Sequence, residues 1–258
     1  MATLRTLILA ALIAGLQALA PARACSKPIH LVAEEWPPYA FSSGSEQQTG
    51  LDIDLTRAIL REAGCTLVIA PFVPSVRRLL MFQRGETDLL LAASDTPERR
   101  RFARFSVSYR HESIGLFVLA RNAEQVQNVA GFDDVIAREL SLLAPTTGWY
   151  GKDYERAYPR LKSAGKLSLF GTVQQGVRML GVERALLIMG DSAAIEHEAR
   201  SQKLDLRALP RVALQAPVHM MFSRASVPAD DVEQINAAIG RLERSGALRA
   251  IRLRYGVR

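Results

Sequence analysis

Several side chains in this 258-residue sequence are of a kind that holds a small polar molecule, and they sit where an α/β fold would expose them. Arg99 opens a run of three arginines shortly after the apolar segment Leu89–Ala92. A planar guanidinium can give two parallel, charge-assisted hydrogen bonds to a carboxylate. The same run also reads as an ordinary solvated face. Ala92, Ser94 and Thr96 follow that segment, at the carboxyl edge of a strand where open α/β sheets receive ligands. Ser94 offers a hydroxyl or a turn cap, and Ala92 only backbone groups. Trp36 and Tyr39 flank two prolines that stiffen their loop, and aromatics there suit either a cleft rim or a core. Thr146-Thr147-Gly148-Trp149-Tyr150-Gly151 precedes a helix near Asp153, and free N–H groups at a helix start favour anions. Asp191 precedes another helical pattern and fits an N-cap.

The chemistry these residues support is non-covalent capture. The four histidines (His30, His111, His197, His219) are scattered without metal-ligand spacing, and no G-x-S-x-G, H-E-x-x-H or P-loop pattern occurs. No metal and no cofactor is therefore expected, and no catalytic residue is assigned. The formal net charge of +7 is spread among acids, without a basic run interleaved with aromatics, so nucleic acid is not an expected partner.

Apolar segments and helical periodicities alternate along the chain. Ile29–Ala33, Leu67–Phe72 and Leu89–Ala92 read as strands; Leu51 to Leu60 and Val76 to Phe82 read as helices closed by Gly64 and Gly85. This βαβαβ opening predicts a parallel sheet covered by helices. An extended run, Ile114–Leu119, leads into a second α/β series, and Pro217–Phe222 leads back to two closing helices, 229–242 and 247–255. Two crossings of this kind suit one lobe inserted in another, with the crossings as a hinge.

The first residues read as a secretory leader: Arg5, then the apolar run Leu7–Ala20, then Pro21 and the small residues of Ala22-Arg23-Ala24. Cleavage after Ala24 leaves Cys25 first, and Arg23 makes a poor lipidation box, so a lipid anchor at Cys25 is the lesser alternative. Cys25 and Cys65 are the two cysteines, each just before a predicted strand. Parallel neighbouring strands would put both at one sheet edge, and an exported chain then favours a disulfide; two independent cysteines are the alternative.

Specific residues also carry a resemblance. Trp36-Pro37-Pro38-Tyr39-Ala40-Phe41, Gly50-Leu51-Asp52-Ile53-Asp54-Leu55, Gly85-Glu86-Thr87-Asp88 and Thr96-Pro97-Glu98-Arg99 with Phe105-Ser106 and Tyr109 stand in order. Together they resemble the bacterial extracellular solute-binding proteins of the amino-acid type (family 3). That resemblance implies a type II periplasmic-binding fold of two α/β lobes, here 25–118 with 218–258 and an inserted 119–217, after a signal peptide 1–24. It implies a periplasmic monomer that binds an amino acid or other small carboxylate and presents it to an inner-membrane permease or sensor, not an enzyme. Periplasmic dehydratases of cyclohexadienyl acids share the scaffold, and an acid such as Glu35 or Asp191 would then be catalytic. The family clamps a carboxylate at the position of Arg99, often adds a hydroxyl at Ser94, and contacts the carboxylate again near Gly148, Trp149 and Tyr150. Asp191 matches the acid that meets a ligand ammonium, while a second register places Leu186 or Arg184 there. Ser75 stands where the family has an aromatic, a departure from the pattern for a standard amino-acid ligand; it leaves Arg77 either as a further cleft residue, which would favour a more anionic ligand, or as a surface helix arginine.

Overall fold

The computed structural model describes residues 24–44, 47–210 and 214–256. The predicted leader 1–24 lies almost wholly outside them. Three parallel strands open the chain: β1 (Ile29–Val32) pairs with β4 (Leu67–Ala70) on one side and β5 (Leu89–Ala93) on the other. Between β1 and β4, a short hairpin of β2 (Phe41–Ser43) and β3 (Gln47–Thr49) had no counterpart in the apolar pattern, because its residues are polar and short. Helix α1 (Leu51–Glu62) buries Leu51, Leu55, Ile59 and Leu60. Asp52 and Asp54 in its first turn and Arg61 in its last complement the helix dipole. Helix α2 (Ser75–Arg84) ends on Gly85, whose φ of 75° is the left-handed cap that glycine accepts without strain.

The largest departure from the sequence expectation is β6, which runs from Ala103 to Leu119 rather than beginning at Ile114. Its first half carries Arg104, Arg110, His111 and Glu112, which break the apolar signature of a strand. It is held there by β11 (Leu214–Ser223), antiparallel along most of its length. Beyond β6 come α3 (Phe132–Ala137), β7 (Leu142–Pro145), α4 (Lys152–Ser163), β8 (Leu167–Phe170), α5 (Val173–Gly181), β9 (Leu187–Asp191), α6 (Ser192–Ser201) and β10 (Leu206–Ala208). The chain closes with α7 (Ala229–Arg244) and α8 (Ala247–Arg254). Nine of the described strands form one sheet, in the order β4-β1-β5-β11-β6-β9-β7-β8 with β10 also on β6.

The sheet is continuous, but its cores are not. Ile29, Leu31, Leu55, Ile59, Phe222 and Ile235 belong to one buried cluster, with Tyr109 and Val218 in it. Ile114, Leu116 and Val118 belong to another, and Phe117 and Leu119, pointing to the opposite face, to a third. The apolar interior therefore changes over between Tyr109 and Ile114 on β6, and β11 crosses back beside it. This is the type II binding-protein architecture: an α/β unit interrupted by a second, joined by two adjacent strands.

Cys25 and Cys65 are disulfide-bonded, with Cα atoms 4.9 Å apart. The pairing follows from β1 and β4 being parallel neighbours in register from Ile29 and Leu67. With its sulfur in the bridge, Cys25 has no thiol left for a lipid. Among the described residues, no helix is long and apolar enough to cross a membrane. For a separation of 40 residues, reduction is expected to lower stability by about 3–4 kcal/mol. Urea unfolding with and without reductant, alongside thiol labelling of the native protein, measures it.

Candidate functional site

The local structure begins at Gly50, whose φ of 114° suits glycine and whose absent Cβ leaves room for the carbonyls of Pro38 and Tyr39. Those carbonyls accept the N–H groups of Leu51 and Asp52, at 3.0 and 2.9 Å. The Trp36–Tyr39 loop is thus seated on the first turn of α1. Asp52 then reaches β6: Arg110 donates Nε to Oδ1 at 2.5 Å and Nη2 to Oδ2 at 2.8 Å. Both side chains are essentially inaccessible, at 0% and 1% exposure. The Arg110 guanidinium lies 4.0 Å from the centre of the Tyr39 ring and 5.7 Å from that of Trp36. Tyr39 is therefore a buried platform for a cation and not a lining residue, whereas Trp36 does line the cleft.

That cleft, of about 590 Å³, lies between the two units. The first contributes Glu34, Trp36, Arg78, Ala92, Ser94 and Arg99; the second contributes Thr147, Gly148, Trp149, Tyr150, Thr172 and Asp191; Glu112 enters from β6. Ala92 has a φ of 50°, sparsely populated for a residue with a side chain, and donates its N–H to the Tyr109 hydroxyl at 3.0 Å. Arg99 is half-buried in a 3-10 turn, Arg99–Arg101, and donates Nη1 to the Ser94 carbonyl at 3.0 Å. Burial pushes its pKa down from the usual arginine value, yet the group stays a cation at physiological pH.

Asp191 fills the N-cap role read from the sequence and also lines the cleft. Oδ1 caps α6 by accepting the Ala194 N–H at 2.9 Å. Oδ2 is buried with no hydrogen bond of ordinary geometry among the described residues, although the Tyr39 hydroxyl is near enough to affect its titration. Desolvation raises its pKa above the usual aspartate range.

Three findings differ from the sequence reading. Arg77 is exposed and outside the cleft lining; one position further round α2, on the inward face with Ser75 and Leu79, Arg78 points in. Arg78 is ion-paired to Glu34 at 3.2 Å. The first turn of α4, at Gly151–Asp153, borders a separate 880 Å³ cavity with Phe132, Arg156 and Arg160. The helix starts that reach the cleft are those of α2, α5 and α6, through Ser75, Val173 and Asp191. Trp149 and Tyr150 form the partition between the two cavities, with Tyr150 Oη donating to the Thr147 carbonyl at 3.0 Å. Glu35 lines the rim and is tied to Ser42 by two hydrogen bonds.

The residue missed altogether is Glu112. It is 8% exposed and accepts no hydrogen bond among the described residues. Its pKa is raised to about 8, first by desolvation, against which the nearby Arg110 pulls down while Asp191 and Asp52 push up. Its signal was its alternation with Arg110 and Ile114 on a strand that the apolar pattern had begun too late.

A family model described as bacterial extracellular solute-binding proteins, family 3, matches residues 29–258. A histidine kinase sensor domain with similarity to periplasmic binding proteins superimposes with a TM-score of 0.75 at 18% identity, over 90% of this chain and 96% of that one. The arginine-, lysine-, histidine-binding protein ArtJ from Geobacillus stearothermophilus does so with 0.71 at 17%, over 89% and 95%. An ancestral amino acid-binding protein, a precursor of cyclohexadienyl dehydratase, gives 0.71 at 18%, over 89% and 94%. At such identities the likeness is one of fold. A search of curated proteins finds no match.

Two outcomes follow from this geometry. Asp52→Asn leaves Arg110 buried without a counter-charge and is expected to cost about 3–5 kcal/mol in urea unfolding. For Glu112, the folded state holds its proton up to about pH 8 while the unfolded chain releases it near the ordinary glutamate value of 4.5. Stability attributable to this group is therefore full below pH 4.5, falls as pH rises toward 8 and levels off above. Thermal unfolding of Glu112→Gln and wild type across pH 4–9 is expected to show the variant gaining on wild type through that window.

Proposed function

The chain belongs to the bacterial extracellular solute-binding proteins, family 3, and from that premise we propose that it captures a small carboxylate-bearing, amino-acid-like solute between its two units. The observation that carries the reading is the opposition of Arg99 and Asp191 across one cleft. A guanidinium on the first unit suits a ligand carboxylate, and an incompletely satisfied carboxylate on the second suits an ammonium. Ser94, the backbone of Ala92 and the turn at Gly148 are proposed to complete the carboxylate cradle, with Trp36, Trp149 and Tyr150 packing on the rest of the ligand. Arg77 is dropped from this set.

Contacts divided between two units bind best when the units approach. A ligand then shifts the population toward a closed form. We place the hinge where the interior changes over, between Tyr109 and Ile114 on β6 with its neighbour β11, which is earlier than the 118/119 lobe boundary expected from the sequence because Ile114, Leu116 and Val118 pack with the second unit. A closed form outside the cytoplasm suits reading by an inner-membrane permease or a sensor, and both kinds of relative, an amino-acid receptor and a kinase sensor domain, have this fold.

A dehydratase reading draws first on Glu112, ahead of the Glu35 and Asp191 expected from the sequence, since an acid protonated near neutrality is a candidate proton donor. Turnover of prephenate by the purified protein would establish it; ligand-induced stabilisation without turnover supports capture. In a thermal-shift and calorimetric screen of amino acids and small organic acids, Arg99→Ala is expected to weaken the best ligand by about 100-fold or more, the loss of charge-assisted hydrogen bonds. Arg77→Ala, exposed and away from the cleft, is expected to bind like wild type. Equal binding by wild type and Arg99→Ala would remove Arg99 from the site.

A further inference from the structure

A simple zwitterion leaves one buried carboxyl group of the cleft without a partner. Arg78 is committed to Glu34, and Arg110 lies behind the lining with its Nε–Nη2 edge committed to Asp52 and Nη1 donating to the His111 carbonyl at 3.3 Å. Among the described lining residues, Arg99 then makes no ion pair, the exposed Glu35 is tied to Ser42, and Glu112 and Asp191 are two buried acids that make no ion pair, although Arg99 lies near enough to Glu112 to lower its pKa. An amino acid's own carboxylate and ammonium would satisfy Arg99 and Asp191. Glu112 would remain.

We propose that the cleft is built for an amino acid whose side chain carries a positive charge, and that Glu112 is the specificity residue that receives it, giving its proton to solvent as the ligand enters. This rests on the reading of the cleft as an amino-acid site.

The surroundings of Glu112 make the exchange physical. Facing it are Arg99 from the 3-10 turn, Asp191 from the end of β9, Asp52 from α1, Arg110 on its own strand and Tyr150 from the loop after β7. Across the ladder its partner on β11 is Ala216, which brings no charge. These influences hold the carboxyl in the protonated direction at neutral pH, because an isolated buried carboxylate is costly. A ligand carboxylate on Arg99 neutralises one of the cations that lower Glu112. A neutral ligand side chain would therefore leave the acid protonated, and an anionic one would be repelled. A guanidinium or ammonium instead replaces the proton: the neutral carboxyl releases H⁺, and the resulting carboxylate pairs with the ligand cation. Trp36 from the first unit and Trp149 from the second line the same cleft and add aromatic surface to it.

The test compares charged and neutral isosteres by titration calorimetry: L-arginine against L-citrulline, and L-lysine against L-norleucine. Wild type is expected to prefer the charged member of at least one pair by about tenfold or more, the scale of a charge-assisted contact. Repeating the titration at pH 7 in buffers of different ionisation enthalpy should show release of about one proton per charged ligand, and affinity should rise by up to about 50-fold between pH 6 and 8. Glu112→Gln is expected to abolish both the preference and the proton release. Neutral amino acids binding as well as charged ones, with dependence on Arg99 intact, would overturn the role of Glu112 and leave the amino-acid site standing. A charged-ligand preference retained in Glu112→Gln would do the same. Binding of no amino acid at all would overturn both readings, and the proton count on wild type stands whether or not the variant folds.

Discussion

The buried pair of Asp52 and Arg110 is the constraint around which the site is arranged. Two ions removed from water are tolerated only when each is fully engaged, and here the carboxylate takes both donors of one guanidinium edge while Tyr39 covers its face. Three segments far apart in sequence are thereby pinned together: the proline loop after β1, the start of α1 and the crossing strand β6. Because the pair is closed on itself, Arg110 is withdrawn from the ligand and acts only as a field. The cation proposed for recognition, Arg99, comes from elsewhere, on the turn after β5.

That arrangement explains why the acids of the cleft behave unlike surface acids. Glu112 sits two residues beyond Arg110 and Asp191 pairs in register with Ile114, so both approach the same fixed charge from the far side of the crossing. The field of one guanidinium, already matched by Asp52, does not offset the desolvation of two more carboxyls. They are held in the protonated direction by the fold itself, before any guest arrives.

Much of the architecture was legible in the sequence because its signals are local. The spacing of Leu51, Leu55 and Ile59 and the continuous apolar runs of the parallel strands need no partner to be recognised, and the disulfide follows once β1 and β4 are neighbours. What could not be read depends on distant contacts. The first half of β6 is polar and becomes a strand only because β11 returns beside it. Arg77 and Arg78 are alike in type and differ only by a step around α2, which settles which of them faces Glu34. Tyr39 stayed open between rim and core because the cation that covers its ring is 71 positions away.

The chain has two tryptophans, and they stand on opposing walls of the cleft, Trp36 beside the buried pair and Trp149 in the partition of the second unit. Every indole in the molecule is thus placed where an approach of the units changes its solvent contact. The natural emission of the unlabelled protein consequently serves as a gauge of the aperture, with no background from indoles elsewhere in the fold.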